Sequence, residues 1–321
     1  MNTEQTNSSY YPLSLVETGE ASYNDDQIVQ MFLATCCRTE NTRRNYERAI
    51  VLFRKFISGK PLKNVSWREM EAYKIFLAKG GYSYPRMLAP ASIAAFLAPL
   101  KSFYKWGSDQ HIAIFSHNPT ASVRIPTITV TSRRNFLTKR EVGDLLNQLQ
   151  KQSLRNYLIG LTLVLLGLRV SELTAIKWGD FQRDPLETSV WLTITKAKGG
   201  KMREIKVPVL LWELYAELSR SLSGGVSPDS ELLLFPLSSR QVERIIKDAG
   251  RSSYIKKNLT PHWLRHTNAT LALLQGASLQ QVQETLGHSH INTTQRYLHT
   301  VQQIQKAAPD FVEDCLRDFI H

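Results

Sequence analysis

Residues 157–173 read YLIGLTLVLLGLRVSEL. Residues 157–168 form the longest apolar run in the chain, and Arg155 and Arg169 close it on either side. Twelve helical residues rise about 18 Å, well short of the roughly 30 Å of hydrocarbon in a bilayer. The run is therefore expected to be a helix enclosed by protein, at the centre of a core. A charge at the rim of such a helix costs several kcal/mol unless it is paired. Glu172, three residues after Arg169, lies on the same helical face and can pair it. Taken alone, the two make a structural ion pair and nothing more.

The rest of the chain fits a folded protein around that helix. Its 321 residues suit about two domains, and 42% hydrophobic content with 21% charge supports a packed core. A formal charge of +12 and a pI near 9.6 favour a polyanionic partner. A membrane surface is the competing partner for a basic chain. Against it, the sequence has no long basic amphipathic helix and no spanning segment. The first twenty residues, MNTEQTNSSYYPLSLVETGE, have neither a basic nor an apolar signal region. Three cysteines, Cys36 and Cys37 adjacent, make neither a disulfide framework nor a CxxC metal site. The expectation is a reduced, cytoplasmic protein with no place in a membrane.

Residues 1–23 are polar and aperiodic, and are expected to be disordered. Residues 24–110 are expected to form a helical bundle. Its second helix, within TENTRRNYERAIVLFRKFIS, places Tyr46, Ala49, Ile50, Phe53, Phe56 and Ile57 at helical spacing, with Arg43, Arg44, Arg48, Arg54 and Lys55 on the other face. Ser66 and Glu69 make a capping box for a third helix, and Pro99 should kink a fourth. Residues 111–135, with Pro119 and Pro126 and no helical period, read as an extended linker. A capping box at Thr138 and Glu141 opens a second domain over 136–321. That domain is mainly helical, with a β-hairpin around Gly199-Gly200 and a terminal helix over 309–321 whose apolar stripe includes Phe311, Val312 and Cys315. No internal repeat is visible.

Several polar residues of the second domain sit where function is worth weighing. In TPHWLRH, Thr260 caps a helix and Pro261 takes its first position, so His262 and Arg265 project together from the first turn. A helix N-terminus with an added guanidinium suits a phosphate, although a helix-start histidine and a surface arginine are the plainer reading. In LGHSHINTTQRYLH, Gly287 ends a helix, His288 stands just past it, and Tyr297 lies on the next. A zinc site on His288, His290 and His299 lacks any nearby carboxylate or cysteine. No metal and no cofactor are expected. Lys198 and Lys201, at the hairpin tip, are either solubilising or mobile enough to enter a cleft.

In this order, the elements GLRVSEL, KGGKMR, HWLR, LGH and Tyr297 resemble the tyrosine recombinase (phage integrase) family, in its simple Xer-like form. The resemblance covers about residues 136–300. The preceding bundle and its Asn118-Pro119 turn are similar, with a weaker signal, to that family's core-binding domain. The resemblance implies a mainly α, two-domain DNA clamp. It implies a catalytic set of Arg169, Lys198, His262, Arg265, His288 and Tyr297, with Glu172 in support; Lys196 or Lys201 is the alternative to Lys198. Arg43, Arg44, Arg48 and Lys201 would contact DNA. It further implies a homotetramer on double-stranded DNA recombination sites and strand exchange through a Holliday junction, serving integration, transposition or dimer resolution. No arm-site domain is visible before residue 24, which fits the simple form. A type IB topoisomerase and a non-catalytic DNA-binding protein are the rivals. The first shares most of these residues, and the second has no need of the whole set.

The implied chemistry suits these residue types. In-line attack on a phosphodiester gathers charge on the nonbridging oxygens, which two arginines can hold in bidentate fashion. A tyrosine hydroxyl is mostly protonated at neutral pH, so it needs a base, for which His262 is the expectation. Lys198 would protonate the leaving 5′ oxygen, and His288 would bond a phosphate oxygen. A phosphotyrosine keeps the bond energy, so rejoining needs neither ATP nor metal.

Overall fold

A computed structural model describes residues 23–83, 85–127, 135–195, 202–221, 230–288, 290–305 and 308–317. The chain divides into two compact units, Met1–Thr129 and Val130–His321. Among the described residues no helix is long and apolar enough to cross a membrane.

The first unit is built on helices α1 (Asp25–Cys36), α2 (Glu40–Phe56), α3 (Trp67–Ala78) and α4 (Pro90–Gly107). Asn24 with Gln27, and Ser66 with Glu69, close reciprocal capping boxes on α1 and α3, satisfying backbone donors that would otherwise be orphaned. The core is aromatic. Phe32, Phe53, Tyr73 and Phe103 are fully buried, with Phe103 edge-on to Phe32 and Phe53 edge-on to Tyr73. Helix α4 continues through Pro99, which is itself buried. The stretch read as linker begins by packing on this unit: Phe115 and Val123 join its core, and Lys101 Nζ donates to the Val123 carbonyl at 2.7 Å. The Asn118 side chain accepts from the Thr120 backbone N–H, forming the turn ahead of it. Apolar side chains in a segment without period still find a core when the turn returns the chain to one.

In the second unit α5 (Lys139–Gln152) and α6 (Leu154–Leu166) lead to a single-turn α7 (Val170–Leu173). Strands β1 (Phe181–Arg183), β2 (Val190–Ile194) and β3 (Arg203–Val207) form an antiparallel sheet in that order, with Val190 opposite Val207 and Ile194 opposite Arg203. Helices α8 (Val209–Ser221), α9 (Ser239–Ser252), α10 (Pro261–Leu274), α11 (Leu279–Leu286), α12 (Ile291–Gln305) and α13 (Ala308–Leu316) complete it. The apolar run is α6, as its sequence requires, packed against α5, α8 and α10. Its buried hydroxyl, on Thr162, lies 2.6 Å from both the Leu158 carbonyl and the Tyr215 hydroxyl, so that group is satisfied. The hairpin is where alternation placed it. Strand β1 was not foreseen, because three residues carry no period. The hairpin tip, 196–201, lies outside the described residues.

Candidate active site

The site begins where α6 stops. Gly167 takes the left-handed conformation at φ 59°, and a Cβ there would lie 2.6 Å from the Asn268 side chain. The turn delivers Arg169 to the N-cap of α7, where the Glu172 carboxylate accepts from both the Arg169 backbone N–H (2.9 Å) and its guanidinium (2.6 Å). Glu172 is only 2% exposed, and it is shared. Arg203 of β3 makes a two-pronged pair with it, at 3.1 and 2.8 Å, while its Nε donates to the Thr285 carbonyl at 3.0 Å. Burial pushes the Glu172 carboxyl up, but the bonds and charges of Arg203 and Arg169 outweigh this and hold it below the usual range.

Arg265, on α10, is 2% exposed. Its guanidinium donates to the Gly167 carbonyl and the Leu286 carbonyl, both at 2.6 Å. Those are the C-terminal ends of α6 and α11, where unpaired carbonyls and helix dipoles favour a cation. Arg169 reaches the next carbonyl, that of Gly287, at 3.4 Å, so the two guanidinium groups converge on one turn. Burial first, then Arg169, pull Arg265 down to about 10, which leaves it charged at neutral pH.

Three histidines and the tyrosine complete the group. Tyr297 is half-buried on α12, its hydroxyl 2.6 Å from Nδ1 of His266. The His262 ring lies edge-on to that of His266 with centroids 4.2 Å apart, and the His288 ring stacks nearly parallel to Tyr297 at 6.3 Å. His288 Nδ1 is fixed 2.9 Å from the hydroxyl of fully buried Thr294. Burial, followed by neighbouring cations and imidazoles, takes His266 and His288 down to about 4. Much of His262 is open to solvent, yet its packed side is desolvated enough, beside Arg265 and Arg169, to lower it too.

Arg169, Glu172, His262, Arg265, His288 and Tyr297 thus come together from four segments spread over residues 169–297. Lys198, Lys201 and the alternative Lys196 lie outside the described residues. Arg43, Arg44 and Arg48 are exposed on α2 of the first unit, where Arg44 pairs with Glu40. Two members had not been singled out. Arg203 shares the inward face of β3 with Ile205 and Val207, and a charge on an apolar strand face was a legible signal. His266 lies four residues after His262, one helical turn along the same face. Among the described residues no group of three or more His, Cys, Asp or Glu side chains could hold a metal ion.

A buried guanidinium and a partly exposed one beside a tyrosine hydroxyl are suited to a phosphate and an oxygen nucleophile. The sequence profile of the phage integrase family matches residues 135–303, just over half of the chain. The chain belongs to the phage integrase family. A tyrosine recombinase of Pseudothermotoga lettingae is 34% identical to this recombinase over 246 residues, covering 75% of this chain and 80% of that protein. Tyrosine recombinase XerA of Pyrococcus furiosus is 34% identical over 245 residues, covering 73% and 77%. A crystal structure titled as a lambda integrase tetramer bound to a Holliday junction has the same fold, with a TM-score of 0.65 at 21% identity, covering 87% of this chain and 78% of that one. The protein is an enzyme, a tyrosine site-specific recombinase.

Proposed function

We propose that the recombinase cleaves and rejoins double-stranded DNA through a covalent 3′-phosphotyrosine on Tyr297. The observation that carries this is the Tyr297 hydroxyl in one cluster with Arg265 and Arg169, whose guanidinium groups meet at the end of α11. The tyrosine oxygen attacks phosphorus, the bond to the 5′ oxygen breaks, and a free 5′ hydroxyl leaves. Arg169 and Arg265 take up the charge on the nonbridging oxygens; losing one such donor typically costs about 3–4 kcal/mol of transition-state stabilisation. The Gly167 and Leu286 carbonyls occupy two of the five N–H donors of Arg265 and orient its guanidinium, and the others face the phosphate in this reading. His288 and His262 bond phosphate oxygens at the rim, and Lys198 of the hairpin protonates the 5′ oxygen. Glu172 and Arg203 keep Arg169 in place. Reversal by a 5′ hydroxyl of the partner strand rejoins DNA with no external energy.

The charge of +12 and the exposed arginines of α2 support a duplex DNA partner held through its phosphates, with the protein acting in the cytoplasm. The lambda integrase tetramer bound to a Holliday junction, which shares the fold, supports a homotetramer on paired sites with a junction intermediate. The exposed Val312 and Cys315 of α13 offer a neighbouring copy an apolar contact. To test the reading, the protein is incubated with sheared genomic DNA, and the DNA in covalent adducts is recovered and sequenced. One recurring site joined through its 3′ phosphate to Tyr297 is expected. Tyr297→Phe should bind that duplex normally and form no adduct; an undiminished adduct in this variant overturns the assignment.

A further inference from the structure

The sequence directs attention to His262 as the base for the tyrosine, but the hydroxyl lies against the other histidine of α10. We propose that His266 is a catalytic residue of the cleavage step, receiving the Tyr297 proton at Nδ1 and orienting the hydroxyl so that an oxygen lone pair faces the phosphate. The proposal rests on Tyr297 being the nucleophile.

Geometry supports it first. The oxygen and Nδ1 are 2.6 Å apart, short for a hydrogen bond of this type and within reach for direct proton transfer. His262 has its ring edge-on to His266 and is exposed to solvent, and the tyrosine hydroxyl bonds His266. His266 is instead enclosed: His262 and Arg265 face it from α10, His288 from the end of α11, and Tyr297 from α12. Burial first, then His262, Arg265 and His288, oppose a positive charge on its ring, so the imidazole is neutral before DNA arrives. A neutral imidazole with Nε2 protonated has a free lone pair at Nδ1, which is the state an acceptor needs. Arg265 also interacts electrostatically with Tyr297, so the cation that opposes a proton on His266 lies beside the side chain that gives one up. An incoming phosphodiester adds negative charge beside Arg169 and Arg265, and this raises the proton affinity of His266 only when substrate is bound.

The step balances. The hydroxyl proton passes to Nδ1, the phenolic oxygen forms its bond to phosphorus, and the bond to the 5′ oxygen breaks with its electron pair on that oxygen, which takes a proton from Lys198. Rejoining returns both protons.

The test uses the full-length protein and the duplex recovered by covalent capture, resynthesised with either oxygen or sulfur in the bridging 5′ position. A thiolate is the better leaving group, so bridging sulfur relieves the need for an acid and not for a base. His266→Gln should bind the duplex as the parent does yet cleave it about 10²–10⁴-fold more slowly. Sulfur should leave that deficit in place. Raising the pH should shrink it about tenfold per unit, up to the ordinary phenol value near 10. Lys198→Ala provides the contrast, its deficit repaired by sulfur. Cleavage by His266→Gln at the parent rate, or a deficit that sulfur repairs or that pH leaves unchanged, overturns the proposal. If His266→Gln fails to fold, nitrogen-15 spectra of the parent decide: Nδ1 must be the unprotonated ring nitrogen, with a signal that moves in Tyr297→Phe, and a protonated Nδ1 overturns the proposal. An adduct formed by Tyr297→Phe would instead overturn the nucleophile assignment, so the two failures are distinguishable.

Discussion

Glu172 pairs with two arginines at once, Arg169 and Arg203. Its carboxylate is almost wholly buried under two guanidinium groups, and a charge in that position is tolerated only because the pairing is complete. Replacing it by glutamine leaves Arg169 and Arg203 facing a neutral amide. Glu172→Gln should therefore lose roughly 3–5 kcal/mol of unfolding free energy at neutral pH, measured by urea titration. The sign with pH follows from its depressed value. The stabilisation is fully present above the unfolded value of about 4.3 and is lost as pH falls below it, so the two proteins should converge in stability on acidification. His266 and His288 add a separate loss in the parent at milder pH. They stay neutral when folded down to about 4 but take protons when unfolded from about 6.5, so stability should already decline across that interval.

At the scale of elements, the site is a meeting of helix ends. Helices α6 and α11 both stop on left-handed glycines, and their last carbonyls receive Arg265, while Arg169 reaches the carbonyl of the second glycine. Gly287, at φ 64°, is tight as well as left-handed: a Cβ would lie 2.8–3.0 Å from the Arg203 side chain. Gly287→Ala should cost about 1–2 kcal/mol from the backbone alone. Because the obstructing atoms belong to a long side chain, Arg203 should swing aside and release Glu172. Single-turnover cleavage is then expected to fall by more than the stability loss explains, as read by urea titration and adduct formation on the same preparations. Unchanged cleavage would mean that Arg203 has no part in holding Arg169.

For the whole molecule, the relevant quantity is charge. A chain at +12 that neutralises about eight phosphates should show the logarithm of its binding constant falling with the logarithm of salt at a slope near −7. Equilibrium titrations of Tyr297→Phe on its duplex at graded salt measure this without cleavage. A nearly flat dependence would contradict a grip on the backbone by two basic units.

The sequence by itself determined most of the elements, β1 excepted, and most of the chemical inventory. Helical period, the capping boxes at Ser66 and Thr138, and the strand alternation of β2 and β3 are local signals, and local signals survive without knowledge of the fold. The ordered motifs likewise fixed the family and named Arg169, His262, Arg265, His288 and Tyr297. Tertiary structure decided the partners. That Arg203 rather than Arg169 alone holds Glu172, that Arg265 lies across two helix ends, and that Tyr297 meets His266 and not His262 are facts about segments 21 to 98 residues apart. Which of two histidines one turn apart meets a hydroxyl depends on how α12 packs on α10, and a few ångströms of packing leave no trace in spacing.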